Sequence, residues 1–471
     1  VGFNKFIILP PYQTSFSMSK AIKIKRGLNI RLKGEAEKVL VSLPVSGTYA
    51  VKPTDFHGLT PKVLVKEGDA VKAGSVLFID KYNDRIRFVS PVSGKVSAVV
   101  RGEKRKVLEI LVQADAETSY ETYSSADPKS LSREALIESL LKSGLWPLLR
   151  QRPFSGVANP ADMPKSIFVS CFDTAPLAPD YDFIVHGQGE DFQLGVDALS
   201  KLTNGKVHLN VSGSLGQSKV FSNSRGVQIN TISGPHPAGN VGVQIHHIDP
   251  INKGDIIWYI NPQDLIIFGR YFRTGKTDFS KVVALTGGHV KNPKYYRVVT
   301  GATMAQITEG NINESEEVRY ISGNVLTGSN AGKNGYLGYY DNQVTVIEEG
   351  NKYKFFLTQG WLSPGFGKFS ASRTFPTWLM PGKKYNLDTN INGEERAFVM
   401  TGQYEKVFPF DIYPVQLIKA ILANDLEGME NMGIYEVDPE DFALCEFVCT
   451  SKINSQEIVR GGLDLVKKEC F

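Results

Sequence analysis

Four residue groupings could do chemistry. Trp146-Pro147-Leu148-Leu149-Arg150-Gln151-Arg152-Pro153-Phe154-Ser155 joins apolar, aromatic and cationic groups in a segment that reads as a loop. A quinone head group needs an apolar slot and one or two donors to its carbonyl oxygens, and a guanidinium is a suitable donor. Arg150, Arg152 and Phe154 are therefore candidate quinone contacts; the structural reading is a helix-to-sheet linker. Ser233-Gly234-Pro235-His236-Pro237-Ala238-Gly239 has its shape fixed by glycine and proline, and His236 could donate a hydrogen bond from it. His246-His247 follow on an expected strand, where neighbouring side chains face opposite ways and cannot easily share a metal.

Gly187-Gln188-Gly189-Glu190-Asp191-Phe192 is the nearest approach to a dinucleotide loop. Such a loop needs a third glycine and room for pyrophosphate at a helix N-terminus. Here Phe192 replaces that glycine, and two carboxylates sit where phosphate would, so a plain strand-to-helix turn is expected. Cys445-Glu446-Phe447-Val448-Cys449 is a lone pair of thiols, whereas an iron–sulfur cluster normally takes four. Buried structural cysteines are expected, with no metal site. Gly323 to Ser329 has the glycine spacing of a phosphate loop but lacks its lysine. No self-contained catalytic constellation emerges, so no catalytic residue is assigned.

The elements that must carry these groups belong to several domains. A chain of 471 residues exceeds one ordinary core. With 44 Gly and 24 Pro, it should be rich in turns and β structure. A net charge of +4 is too small for a nucleic-acid binder of this size. Lys20, Lys23, Lys25, Arg26, Arg31 and Lys33 cluster near the start, as a solvated strand face or a docking surface. Four cysteines form no disulfide framework and fit a reducing cytoplasm. No uninterrupted apolar run is long enough to span a bilayer.

Residues 1–18 are expected to be a leader or expression remnant, with Met18 reading as a natural start. Residues 19–125 carry Val63 to Gly74, Val76 to Ile79 and Ser90 to Val96, short β runs joined by Gly-Asp, Ala-Gly and Pro-Val-Ser-Gly reversals. This resembles a biotinyl/lipoyl-like barrel-sandwich. Lys81 sits early in the hairpin and lacks the modification motif, so the module is expected to be structural. Residues 126–265 alternate strands and helices as a degenerate Rossmann-like domain: strands at Ile167 to Val169, Phe183 to Val185 and Val207 to Val211, a helix from Asp191 to Leu202. Leu136, Ile137, Leu140 and Leu141 form another helix, with Ser132 as N-cap and Gly144 as stop. Residues 266–350 resemble an SLBB-like β-grasp domain, with Val282 to Gly288 paired to Tyr296 to Val299, and a short helix from Thr303 to Thr308. Residues 351–408 read as a mixed β connection, and 409–471 as a C-terminal helical domain. The fold class is multidomain α/β.

Several of these segments, taken in order, are similar to one family across 19–471. They include Ile22-Lys23-Ile24-Lys25-Arg26-Gly27-Leu28, Lys66-Glu67-Gly68-Asp69, Ser143-Gly144-Leu145-Trp146, Arg152-Pro153-Phe154-Ser155 and Gly234 to Gly239. Ile321 to Leu326, Tyr404-Glu405-Lys406-Val407 and Asp441 to Cys449 complete the set. The chain resembles the A subunits of the sodium-translocating NADH:quinone reductases (Na+-NQR). That family is itself distantly related to the flavin-binding subunit of respiratory complex I and to the C subunit of the Rnf complex. The sequence lacks the Gly-Arg-Gly-Gly-type flavin loop of the first and the cysteine runs of the second. The resemblance implies a peripheral subunit with no cofactor of its own, on the cytoplasmic side of the bacterial inner membrane. Its membrane contact would run through partners, above all the membrane-embedded B subunit. NADH, FAD, FMN, riboflavin and iron–sulfur would reside on other subunits. Quinone is the one ligand expected near this chain, with Arg150, Arg152, Phe154 and His236 as its contacts. The competing expectations are a stand-alone flavin-dependent NADH dehydrogenase and a lipoyl-type carrier.

Overall fold

Strand β1 (Ala21–Lys23) and strand β2 (Glu37–Ser42) leave the module they introduce and join two different sheets further along the chain. The computed structural model describes residues 19–470 except 214–217, 361 and 372; the expected leader at 1–18 lies outside the described residues. Seven short strands between Thr48 and Ala114 form the barrel-sandwich, as a four-stranded and a three-stranded antiparallel sheet. Its reversals fall at Gly68 and Gly74, both with positive φ, which glycine adopts without strain.

Helix α1 (Arg133–Lys142) starts at Ser132, whose side chain accepts from the Ala135 amide, and stops before Gly144. Then come β3 (Arg150–Arg152), β4 (Ser166–Ser170), α2 (Gly189–Leu202), β5 (Lys206–Ser212) and β6 (Gln228–Ser233). Helix α3 (Val241–Ile248), β7 (Ile257–Ile260) and α4 (Pro262–Thr274) follow. The sheet order is β1-β6-β5-β4-β7-β3, parallel except for β3. Its central strands are buried on both faces, as a covered parallel sheet requires. Val169, Leu209 and Trp258 face α1, α2 and α4, while Phe168, Ile257 and Tyr259 face α3 and the C-terminal helices. Gly195 and Gly269 let α2 and α4 touch backbone to backbone; a Cβ on Gly269 would lie 1.6 Å from the Asp191 carbonyl oxygen.

The second six-stranded sheet is built from β8 (Ser280–Thr286), β9 (Lys294–Val299), β10 (Val318–Ser322) and β11 (Gln343–Glu348), with Ser329–Asn330 at one edge and β2 at the other. Strands β8 and β9 pair antiparallel as expected, and a helical turn runs from Met304 to Thr308 with Thr303 as its cap. The C-terminal unit holds α5 (Pro414–Leu422), α6 (Ala443–Val448) and α7 (Ser455–Cys470).

Five local expectations are corrected. Phe183 to Val185 is no strand: Tyr181–Ile184 is a helical turn, because the Asp180 side chain caps it by accepting from the Phe183 amide. The Gly187 turn therefore joins two helices. His246 and His247 lie on α3, not on a strand. Arg150 to Arg152 is an edge strand rather than a loop. Finally, α4 over Pro262–Thr274 is a helix that the sequence reading did not expect. Among the described residues of 351–408 there is no strand, only isolated bridges such as Leu32 to Tyr385.

Candidate functional site

The parallel strands end their carboxyl edge at Ser170, Ser212, Ser233 and Ile260. In open α/β sheets, ligands bind beyond that edge, where the strand order reverses; here the reversal lies at β4, between β5 and β7. Arg150 reaches this edge because β3 runs antiparallel and pairs it with Tyr259. Its guanidinium lies between two aromatic rings, 4.5 Å from the Tyr259 centroid and 4.4 Å from that of Tyr340. Cation–π contact of this kind holds a planar charge without consuming its donors, and Arg150 Nε has no hydrogen-bond partner. Tyr340 is fixed in turn by donating to the Pro147 carbonyl at 2.6 Å.

Residues two apart on a strand share a face, so Arg152 points the same way as Arg150, into the boundary with the C-terminal helices. Its side chain is fully buried. Nη1 donates to Asp441 Oδ2 at 2.9 Å and Nη2 to Glu440 Oε1 at 2.5 Å. A capping box at Asp438 and Asp441 presents these carboxylates. Burial pushes Asp441 up to about 7 against the pull of Arg152, with Glu440 adding to the rise. Gly242 at the start of α3 leaves room for the pair: a Cβ there would lie 2.6 Å from Asp441 Oδ2 and 2.9 Å from Arg152 Nη1.

Phe154 follows with a positive φ of 76°. Its carbonyl accepts from Arg460 at 3.1 Å, and Arg460 also pairs with Asp438 at 2.9 Å. The Phe154 ring is buried, edge-on to Tyr435 and 5.8 Å beneath the Lys467 ammonium. His236 is buried in the turn after β6. Its Nδ1 lies 3.1 Å from Thr174 Oγ1, its amide donates to Asn29, and burial lowers it to about 4, so the imidazole is neutral at pH 7. Asn240, four residues on, donates to the Glu440 carbonyl at 3.3 Å.

Arg150, Arg152 and Phe154 thus form one run, and the Gly234–Gly242 loop brings His236 to the same side of the sheet. The sequence reading missed the partners: Tyr259, Tyr340, Glu440, Asp441 and Arg460. It also missed Asp264, which burial raises to about 6 against Lys281 and Arg150. Only the Asp438-Pro439-Glu440-Asp441 capping signal was locally visible.

The other motifs stay apart from this region. Lys81 is exposed after the strand Val76–Asp80. Asp191 pairs with Arg273 across α2 and α4, through Nε at 2.6 Å and Nη2 at 3.0 Å, so the turn at Gly187 serves helix packing. Cys445 and Cys449 are buried. His246 pairs with Glu436 at 2.7 Å and accepts from the Asp411 amide, while His247 Nδ1 lies 2.9 Å from the Val243 carbonyl. Among the described residues, no group of three or more His, Cys, Asp or Glu could hold a metal ion. Two clefts, of about 480 Å³ beside Lys291 and Tyr320 and about 800 Å³ between Val76 and Tyr271, lie away from Arg150 and His236.

Three family models match in chain order: the NqrA N-terminal barrel-sandwich hybrid domain over 22–115, the NqrA second alpha/beta domain over 131–277, and the NQRA C-terminal domain over 282–333. Relatives along the whole length are named as the A subunit of Na(+)-translocating NADH-quinone reductase. The chain is 40% identical to that of Neisseria meningitidis serogroup A and 41% to that of Hahella chejuensis, each over 95% of this chain and all of the relative. It is 37% identical to that of Rhodopirellula baltica, over 95% and 98% respectively.

Proposed function

The chain belongs to the NqrA family, the A subunits of the Na(+)-translocating NADH-quinone reductases, and from that premise we propose that it is a peripheral, cofactor-free subunit which docks on the membrane-embedded B subunit and contributes to quinone binding. The observation that carries this is coverage: the likeness runs through 95% of this chain and the full length of those two relatives, and three of the family's domain models match in chain order. In this reading the chain sits on the cytoplasmic side of the bacterial inner membrane, with NADH, FAD, FMN, riboflavin and iron–sulfur on other subunits. Among the described residues no helix is long and apolar enough to cross a membrane. In the same reading, the first domain is biotinyl/lipoyl-like without a modified lysine, the second a degenerate Rossmann-like domain, and the β8–β11 unit an SLBB-like β-grasp. Domain limits of 19–125, 126–265, 266–350, 351–408 and 409–471 belong to it as well.

For quinone, Arg150 supplies the donor, because its ring contacts hold the guanidinium without consuming its N–H groups and its Nε has no hydrogen-bond partner in the protein. His236 offers a neutral imidazole and Phe154 an apolar face. Arg152, with both terminal nitrogens bound to carboxylates, fixes the strand that aims Arg150. The test uses the intact complex and a photoreactive quinone analogue, with excess quinone as protectant. Arg150→Met should weaken labelling of this chain and raise KM for quinone, while NADH oxidation by an artificial acceptor stays unchanged. Labelling equal to the unaltered complex refutes quinone contact through Arg150. Membership of the complex is tested separately, by whether the tagged chain retrieves sodium-stimulated NADH:quinone reduction from its membranes.

A further inference from the structure

Residues 351–387 leave the second sheet after β11 and return to its flank. The two ends of the excursion are tied: the backbones of Glu348 and Asp388 form an isolated parallel β-bridge, and the Gly350 amide donates to Thr389 Oγ1 at 2.8 Å. Between them lies a segment with an unusual surface. Of the 19 large hydrophobic side chains exposed among the described residues, eight fall between 353 and 379. Tyr353, Phe355, Phe366, Trp378 and Leu379 are each more than half exposed. Apolar surface gathered this densely marks an interaction site rather than chance exposure.

The charge of the same segment is one-sided. It contains six lysines and arginines and no aspartate or glutamate. Lys352, Lys354 and Lys384, near its ends, pair with carboxylates of the body. Lys368 and Lys383 contact backbone carbonyls instead, and Arg373 lies 5.7 Å from the centre of the Trp378 ring. Aromatic rings interleaved with such cations suit the headgroup level of a bilayer, where rings sit at the acyl boundary and cations meet anionic phosphates. A protein surface on that side fits less well, since cytoplasmic loops of membrane proteins carry excess Lys and Arg. Irregular backbone is also acceptable at headgroup depth, though not in the hydrocarbon core.

We infer that the 351–387 segment is a lipid anchor: it binds the anionic surface of the bilayer directly, through the Phe366, Trp378 and Leu379 side chains and the Lys368, Arg373 and Lys383 charges. This goes beyond docking on a membrane-embedded partner; it rests on the reading above only for the leaflet concerned.

The purified full chain is mixed with vesicles of phosphatidylcholine alone, or of phosphatidylcholine with phosphatidylglycerol, and sedimented. Binding to the anionic vesicles only, weakened by salt, is expected. The triple variant Lys368→Gln/Arg373→Gln/Lys383→Gln should bind on the order of a hundred-fold more weakly, at about five-fold per charge. Phe366→Ser/Trp378→Ser/Leu379→Ser should lose binding with unchanged circular dichroism. No binding by the unaltered chain, or equal binding by all three proteins, overturns the anchor. So does binding that appears only on membranes containing the other subunits, which would make the segment a protein interface. None of these outcomes depends on quinone reduction, so loss of the anchor would leave membership of the complex standing.

Discussion

Arg152 and Asp441 are 289 residues apart in sequence and 2.9 Å apart in space, each with a fully buried side chain. This pair joins the edge strand of the α/β sheet to the C-terminal helices. Because the guanidinium also meets Glu440, two carboxylates share one cation.

Removing one partner of a buried pair strands the other charge away from water. Arg152→Met and Asp441→Leu should therefore each destabilise the protein by about 3 kcal/mol or more, whereas the double variant Arg152→Met/Asp441→Leu should recover part of that loss. Urea unfolding of the two single variants and the double variant closes the cycle. Additive losses would show that the pair does not couple the two units.

The approach of α2 and α4 gives a steric prediction. Gly269→Ala places a Cβ 1.6 Å from the Asp191 carbonyl oxygen. The helices must part, at a cost of about 3 kcal/mol or more. Gly187→Ala is the control: nothing lies within 4 Å of its Cβ, and only its φ of 77° is strained, at about 1 kcal/mol. Equal melting temperatures for the two variants would contradict the close approach.

His236 predicts an acid-side loss of stability. Burial lowers it from 6.5 to about 4 in the folded protein. Below the unfolded value, the unfolded chain takes up a proton that the folded imidazole refuses. The contribution is therefore intact above the unfolded value and is lost as pH falls toward the folded one. Between about pH 8 and about pH 5 this amounts to about 2 kcal/mol, which His236→Gln should remove from the pH dependence of urea unfolding. An unaltered pH slope in the variant would mean that His236 titrates freely.

The cysteines differ in reach. Cys171, Cys445 and Cys449 are buried and Cys470 is exposed. Burial pushes the Cys171 and Cys445 thiols well up, so neither forms the reactive thiolate at neutral pH. A thiol reagent should consume one cysteine quickly in the native chain and all four after denaturation. Fast reaction at Cys445 would indicate that the C-terminal helices open.

Much of the architecture was legible because its causes are local. The Ser132 cap, the Gly144 stop and the reversals at Gly68 and Gly74 each need only a few neighbouring residues. The ordered motifs sufficed to identify the family. Local pattern failed where burial is two-sided. Val241 to Ile248 has six buried residues among eight, so little polar face marks its helical period, and His246-His247 within it read as strand residues. Phe183 to Val185 failed similarly, its short apolar run hiding a cap at Asp180.

What the sequence determined by itself was the identity and order of the units, since strand alternation, caps and turn glycines act over a handful of residues. What only the tertiary structure decided was the meaning of individual side chains. Arg150 and Arg152 look alike in sequence, two residues apart on one strand face. Folding gives one a pair of tyrosine rings and the other two carboxylates from nearly 300 residues downstream. Long-range electrostatics and packing depend on which elements meet, and no local pattern around Arg152 encodes the arrival of Asp441.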